Sequence, residues 1–313
     1  MVSKRRSFLK NSSILTSCIL LGSSLEAASS FYKKKEVSLG NTLSILHTSD
    51  LSGHLAPTAG PFGGLKKVDQ IFLRRNKSTL KIDSGNFLKL GSELNEHIEI
   101  IKRMNKMGYF ATTPGLNELN MGQEQLASIL PIMDFEMVNC NYKFSNTILS
   151  SRIKPYFTFN VGKIKIGITG VGNYISIPGI QVSEPIQAVN DTARKLKKDL
   201  QCDLIICLTQ FGQDQKNYND KKLAEASKYI DLIIGGEICK VAKVARSLKN
   251  ANKYDVLISQ AGSKGKTVGE LTYEFNQFNT ITSLKHNYSI SGMSEYATLT
   301  QKNEVFRLLT SVG

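Results

Sequence analysis

Leu204-Ile205-Ile206-Cys207-Leu208-Thr209-Gln210-Phe211-Gly212 is the stretch that decides the fold class. Five consecutive apolar residues, two of them β-branched, suit a strand buried on both faces of its sheet, and the polar residues and glycine that follow read as a loop. Before it, in 185–200, Ile186, Val189, Ala193, Leu196 and Leu200 fall on one helical stripe. After it, Asn219 or Asp220 is placed to cap a helix running through Lys228. The same alternation extends in both directions. Apolar, β-branched runs predict strands at 43–47, 79–83, 135–140, 155–161, 163–170, 203–209, 230–235, 255–260 and 268–275. Helical periods cover 64–75, with Leu65, Val68 and Ile71, and 93–107, with Leu94, Ile98 and Ile101. Strands alternating with helices make an α/β fold with sheet inside and helices outside, and in such folds chemistry gathers on loops at the carboxyl ends of strands.

The chain has 313 residues and a formal net charge of +14. Setting aside Lys4, Arg5, Arg6, Lys10 and Glu26 leaves 36 basic against 25 acidic residues, a balance of +11. A basic surface suits anionic small ligands, but no basic run interleaves with aromatic residues, so nucleic acid is not an expected partner. Beyond the N-terminus no segment is long and apolar enough to span a bilayer. Of the five cysteines, Cys140, Cys202 and Cys207 sit in or beside apolar strands and read as small packed residues; none shows CxxC spacing.

Residues 4–10, Lys-Arg-Arg-Ser-Phe-Leu-Lys, match the twin-arginine export signal, and a weakly apolar stretch from Ile14 to Leu25 follows. Residues 1–29 are therefore expected to be a signal cleaved near Ala27 to Ser29, delivering the protein to the periplasm or another extracytoplasmic space. The competing reading is a lipid anchor on Cys18, from Leu15-Thr16-Ser17-Cys18.

Six loops follow the expected strands. They read Ile45-Leu46-His47-Thr48-Ser49-Asp50-Leu51-Ser52-Gly53-His54-Leu55, Ile82-Asp83-Ser84-Gly85-Asn86-Phe87, Thr113-Pro114-Gly115-Leu116-Asn117-Glu118-Leu119-Asn120, Leu208-Thr209-Gln210-Phe211-Gly212, Ile234-Gly235-Gly236-Glu237-Ile238-Cys239 and Gln260-Ala261-Gly262-Ser263-Lys264-Gly265. In order, spacing and flanks, residues 42–275 resemble the calcineurin-like metallophosphoesterases, and within them the catalytic domain of bacterial 5'-nucleotidases. The resemblance implies a four-layer α/β/β/α sandwich with mixed sheets, leaving 276–313 as a closing strand and a loose tail.

The family resembled binds two divalent metals, one carboxylate bridging them, and a His–Asp pair assists the reaction. Carried onto this chain, that pattern leaves Asp50 as the one intact metal ligand. Ser52, Asn86, Leu116, Gln210, Glu237 and Cys239 stand at the other ligand positions, with Asn86 at the bridging one, and Asn117 and Asn120 replace the catalytic pair. His47 and His54 flank ligand positions without occupying one. The reading this supports is a pseudoenzyme that keeps the fold as a binding or scaffold module, with no cofactor and no intact catalytic residue. The alternative is a phosphoester hydrolase holding one zinc or manganese ion on Asp50, Glu237 and Cys239. Expected partners are a nucleotidase C-terminal-domain protein, an active paralogue or an anionic small ligand.

Overall fold

The computed structural model describes residues 42–76, 78–211, 217–236 and 245–311. The strands are β1 (Thr42–Thr48), β2 (Leu80–Asp83), β3 (Ala111–Thr112), β4 (Glu136–Met137), β5 (Tyr142–Phe144), β6 (Tyr156–Val161), β7 (Ile164–Gly172), β8 (Ile180–Val182), β9 (Leu204–Gln210), β10 (Leu232–Gly235), β11 (Arg246–Lys249), β12 (Asp255–Gln260), β13 (Thr267–Phe275) and β14 (Ile281–Ile290). The helices are α1 (Leu65–Leu73), α2 (Leu94–Met107), α3 (Leu116–Asn120), α4 (Gln123–Ile129), α5 (Thr147–Arg152), α6 (Pro185–Arg194), α7 (Asp220–Ala226) and α8 (Leu299–Ser311).

Two six-stranded mixed sheets form, in the orders β14-β13-β1-β2-β3-β4 and β11-β12-β10-β9-β7-β6. In the first, β1 to β4 run parallel and β13 and β14 close the edge antiparallel. In the second, β7, β9, β10 and β12 are parallel, with β6 and β11 antiparallel at the edges. The alternation of side chains along each strand builds the layers. Leu43 and Ile45 of β1, Leu80 and Ile82 of β2, and Leu204, Ile206 and Leu208 of β9 share one core between the sheets. Ile205 and Cys207, on the other face of β9, pack with Val189, Ala193, Leu196 and Leu223 of the α6–α7 side. Leu46 joins α1 and α2 residues on the outer face of the first sheet. The result is the α/β/β/α sandwich.

The helices begin and end where local chemistry permits. The Glu184 carboxylate accepts from the backbone of Ile186 and Gln187 at the start of α6, and Pro185 fills its first position. Asn219, not Asp220, caps α7 by accepting from Lys222 N; the helix ends at Ala226, short of Lys228. Gly108, at φ 78, ends α2 in a left-handed turn.

Three expectations need correction. The buried stripe of α2 is His97, Ile100, Ile101, Met104 and Met107; Leu94 is exposed, so the face is rotated from the one read as Leu94, Ile98, Ile101. The strand expected over 135–140 is two residues long, because Asn139 turns the chain, its side chain accepting from the backbone of Asn141 and Tyr142. The tail expected to be loose contains helix α8, whose Phe306 and Leu309 pack on Tyr288 and Ile290 of β14. Among the described residues no helix is long and apolar enough to cross a membrane. The twin-arginine motif and Cys18 lie outside the described residues.

Candidate functional site

The parallel strands of both sheets deliver their carboxyl ends to one rim. Ser49 Oγ donates to Ala261 O at 3.0 Å and Gln210 Nε2 donates to Ser84 O at 2.6 Å, each bond joining the first sheet's loops to the second's. The loops after β1 and β2 run alongside each other: Asp50 N reaches Gly85 O, Ser52 N reaches Asn86 O and Gly53 N reaches Phe87 O, at 2.8–3.0 Å. Holding this path requires left-handed backbone at three non-glycine residues, Asp50 (φ 48), Ser52 (φ 48) and Asn86 (φ 54). Such conformations cost of order 1 kcal/mol each and persist where surrounding structure enforces them.

At the centre of the rim lies Asn86. Its Nδ2 donates to Asp50 Oδ1 at 2.9 Å and to Gln210 Oε1 at 2.7 Å, and its Oδ1 accepts from Asn117 N at 3.0 Å. Backbone groups settle both amide orientations. Asn117 N–H only donates, so Asn86 turns its oxygen to it and its nitrogen to Asp50 and Gln210. Ser84 C=O only accepts, so Gln210 turns its nitrogen there and its oxygen to Asn86. Both hydrogens of the Asn86 amide are thereby used. Asn117 in turn donates from Nδ2 to Leu88 O at 2.8 Å.

Two glycines let the backbone close over this network. A Cβ on Gly115 would lie 2.3 Å from Asn86 Oδ1, and one on Gly236 would lie 2.2 Å from Gln210 Nε2. Gly236 thus brings the start of the fifth loop onto the network; Glu237 and Cys239 themselves lie outside the described residues. Leu116, 41 % exposed, projects no donor atom, and Asn120 is exposed at the far end of α3. Of the positions singled out in the sequence, the structure joins Asp50, Asn86 and Gln210 through side chains, Asn117 through its backbone N–H, and Ser52 through its loop.

Two buried carboxylates that sequence reading passed over support the rim. Glu118 accepts from Gly115 N and Asn86 N on Oε2 and from Leu88 N on Oε1, tying the third loop to the second. Burial pushes its carboxyl up to about 7, with the backbone N–H groups pulling the other way. Its signal was present in the sequence: an acid three residues after Gly115, the spacing of a helix capping box. Asp220 accepts from Thr209 Oγ1 at 2.5 Å and from Gln260 Nε2 at 2.6 Å, beneath Gly235, and burial pushes it up to about 6.

The histidines play other parts. His47 is fully buried, its Nε2 2.7 Å from Ser259 Oγ; burial first, then His286, lowers its pKa to about 3, so it is a neutral core residue. His54 lines a cleft of about 280 Å³ with Gly53, Lys89, Glu96 and His97, and its pKa is lowered by partial burial, Lys264 and Lys89. Cys202 and Cys207 are buried, and Cys140 is half-buried; burial raises all three thiols, as packed residues require.

No family model matches the chain. It is 24 % identical over 294 residues to the trifunctional nucleotide phosphoesterase protein YfkN of Bacillus subtilis, covering 81 % of this chain and 19 % of that protein. It is 28 % identical over 218 residues to the snake venom 5'-nucleotidase of Gloydius brevicauda, covering 62 % and 36 %. The solved 5'-nucleotidase precursor from Thermus thermophilus superposes with a TM-score of 0.72 at 22 % identity, over 87 % of this chain and 59 % of that one, and shows the same fold. The chain is a homologue of the N-terminal metallophosphoesterase domain of the 5'-nucleotidase family. It spans about a fifth to a third of the length of these two curated relatives.

For a metallophosphoesterase domain the donor set at this rim is a poor fit to a two-metal centre. Two divalent ions bring +4 into a small cleft and need an anionic bridge to offset their repulsion. Asn86, the residue that the sequence resemblance sets at the bridging position, turns its amide nitrogen to Asp50 and Gln210, so the face offered to an ion there is a pair of N–H donors. Among the described residues, no group of three or more His, Cys, Asp or Glu is placed to hold a metal.

Proposed function

We propose that this metallophosphoesterase homologue is a non-hydrolytic binding or scaffold module, retaining the family's loops as a rim for an anionic small ligand of the phosphoester class. One observation carries the reading. Asn86 points both amide hydrogens inward, to Asp50 Oδ1 and Gln210 Oε1, so two N–H donors stand where an ion would need acceptors. Asn117, at the position of the family's histidine, carries no acid–base group, and its side chain donates to Leu88 O. The glycine-lined loops and the positive-φ backbone at Asp50, Ser52 and Asn86 support a rim kept in shape.

The test is turnover of AMP and of an aryl phosphate diester by the purified protein with manganese, cobalt or zinc. The expected rate is background with every metal. Metal-dependent turnover that disappears in Asp50→Ala would overturn the proposal and favour a single-metal hydrolase built on Asp50, Glu237 and Cys239.

A further inference from the structure

At one edge of the core between the sheets, two histidines converge on one hydroxyl. His47 lies on β1 and His286 on β14, both of the first sheet; Ser259 lies on β12 of the second. Ser259 Oγ is 2.7 Å from His47 Nε2 and 3.4 Å from His286 Nε2. Ala245, directly before β11, donates its backbone N–H to His286 Nδ1 at 3.4 Å. The Tyr288 ring meets that of His286 edge-on, with 4.5 Å between centroids. Its hydroxyl accepts from Gln260 N at 3.4 Å and is hydrogen-bonded to Ser259. Gly269 makes the room: a Cβ there would lie 2.0 Å from His47 Nε2.

The backbone fixes the protons of this relay. The Ala245 N–H only donates, so His286 Nδ1 is bare and its hydrogen sits on Nε2, facing Ser259. Ser259 accepts there and has one hydrogen to give, which goes to His47 Nε2. The hydrogen of His47 is then on Nδ1, a buried atom with no partner. Every position is thus filled with both rings neutral. A proton added to His286 has only Nδ1 to occupy, where it would meet the Ala245 N–H head-on. The nearby charges face elsewhere. Lys285 pairs with Glu274, and Arg75 with Glu270, on the outer face of the first sheet. Arg246 sits opposite Ile258, on the outer face of the second. Among the described residues, the titratable groups turned toward His286 are His47 and Tyr288.

We propose that His286 is the trigger of an acid-sensitive latch between the sheets: a proton on its Nδ1 expels the Ala245 N–H, turns the imidazolium to water and frees β14 from β12. Gln260, one residue beyond Ser259, donates to Asp220 behind the rim, so the latch bears on the rim's support. The sign follows from burial, which holds His286 below its ordinary 6.5. The opened form takes up a proton that the closed form refuses, so the tie is whole above a pH of about 6.5 and weakens as the pH falls below it. Buried Glu118, Asp220 and Asp231, raised to about 7, about 6 and about 6, act in the opposite sense, binding protons more readily when folded. The latch therefore shows in local opening rather than in overall stability. It goes beyond the binding-module reading and does not depend on it.

The test is amide hydrogen exchange of the full chain at about pH 7.5 and about pH 5.5, corrected for the intrinsic rate of each amide. Opening of the β14 amides should rise about tenfold at the lower pH, the factor for one histidine of ordinary pKa in the opened form. The central strands β2 and β9 should keep their protection. In His286→Gln, whose side-chain oxygen and nitrogen reproduce the acceptor and donor of the neutral ring, the rise should vanish. No rise in the unaltered protein, or the same rise in His286→Gln, overturns the latch. If the variant does not fold, ring-proton NMR of the unaltered protein decides. His286 should titrate below 6.5, with the Ala245 amide shifting at the same midpoint. A midpoint at or above 6.5, or an Ala245 amide that does not move, overturns it equally. Neither readout involves a metal or a phosphoester, so failure here leaves the non-hydrolytic reading to its own test.

Discussion

Asn86 does with two N–H groups what a cation does in a metal centre: it holds oxygens of different loops at short distance without leaving like charges face to face. Its partners come from separate loops, Asp50 after β1 and Gln210 at the end of β9, so one side chain ties the first sheet's loops to the second sheet. Replacing it by aspartate inverts this. In Asn86→Asp a carboxylate would face Asp50 Oδ1 and Gln210 Oε1, losing two hydrogen bonds and adding a like-charge contact. Bonds to charged or buried groups are worth roughly 1–3 kcal/mol each. The expected outcome is a loss of about 2–3 kcal/mol in urea unfolding in EDTA, recovered in part by manganese, which binds the folded state. Unchanged stability in EDTA would mean that the Asn86 bonds do not brace the rim.

At the scale of elements, what was legible in the sequence depended on length and on burial of both faces. β9 shows five apolar residues in a row because a sheet covers one face and helices the other, and its observed limits, Leu204–Gln210, lie within one residue of those expected. β3 has two residues and cannot display a period. β14 is an edge strand, exposed over most of its length, so its sequence is polar and gave only a closing strand without limits inside 276–313. The helix after it was missed for the same reason: it docks through a narrow stripe, Val305, Phe306 and Leu309, diluted by polar neighbours. That docking makes a prediction. Phe306 is 8 % exposed and meets Tyr288 and Ile290, so Phe306→Ala should cost about 3 kcal/mol, the range for a buried aromatic. Amide exchange should also become faster in β14. A change below about 0.5 kcal/mol, the range of surface substitutions, would show that α8 contributes nothing to the sheet edge.

Across the whole molecule, the two sheets bring together residues 36 and 124 positions apart in the chain, those linked by Asn86 to Asp50 and to Gln210. Motif order in the sequence located these positions, since the loops follow strands whose apolar runs are plain. That these side chains bond one another was not legible, because hydrogen bonding across such separations depends on the packing of both sheets. The same holds for Glu118 and Asp220, which look like ordinary helix acids until burial is known. Asp50, Ser52 and Asn86 hold left-handed backbone, and we propose that Ser52 and Asn86 stand where the resembled family places metal ligands. If that backbone is the family's, putting the ligands back should restore the centre. The combined variant Ser52→His, Asn86→Asp, Leu116→Asn, Asn117→His, Asn120→Asp, Gln210→His, Glu237→His and Cys239→His returns the bridging carboxylate, the neutral nitrogen ligands and the acid–base pair together. The charge argument requires the set: without the bridge, two ions repel, and without the histidines, the bridge is an uncompensated buried anion. The expected outcome is close to two manganese ions per chain by elemental analysis, together with a rise in melting temperature on adding manganese that the unaltered protein lacks. A variant that folds, by its circular dichroism, yet binds no manganese would mean that the loops have drifted from the family geometry and that the resemblance at the rim is one of sequence position only.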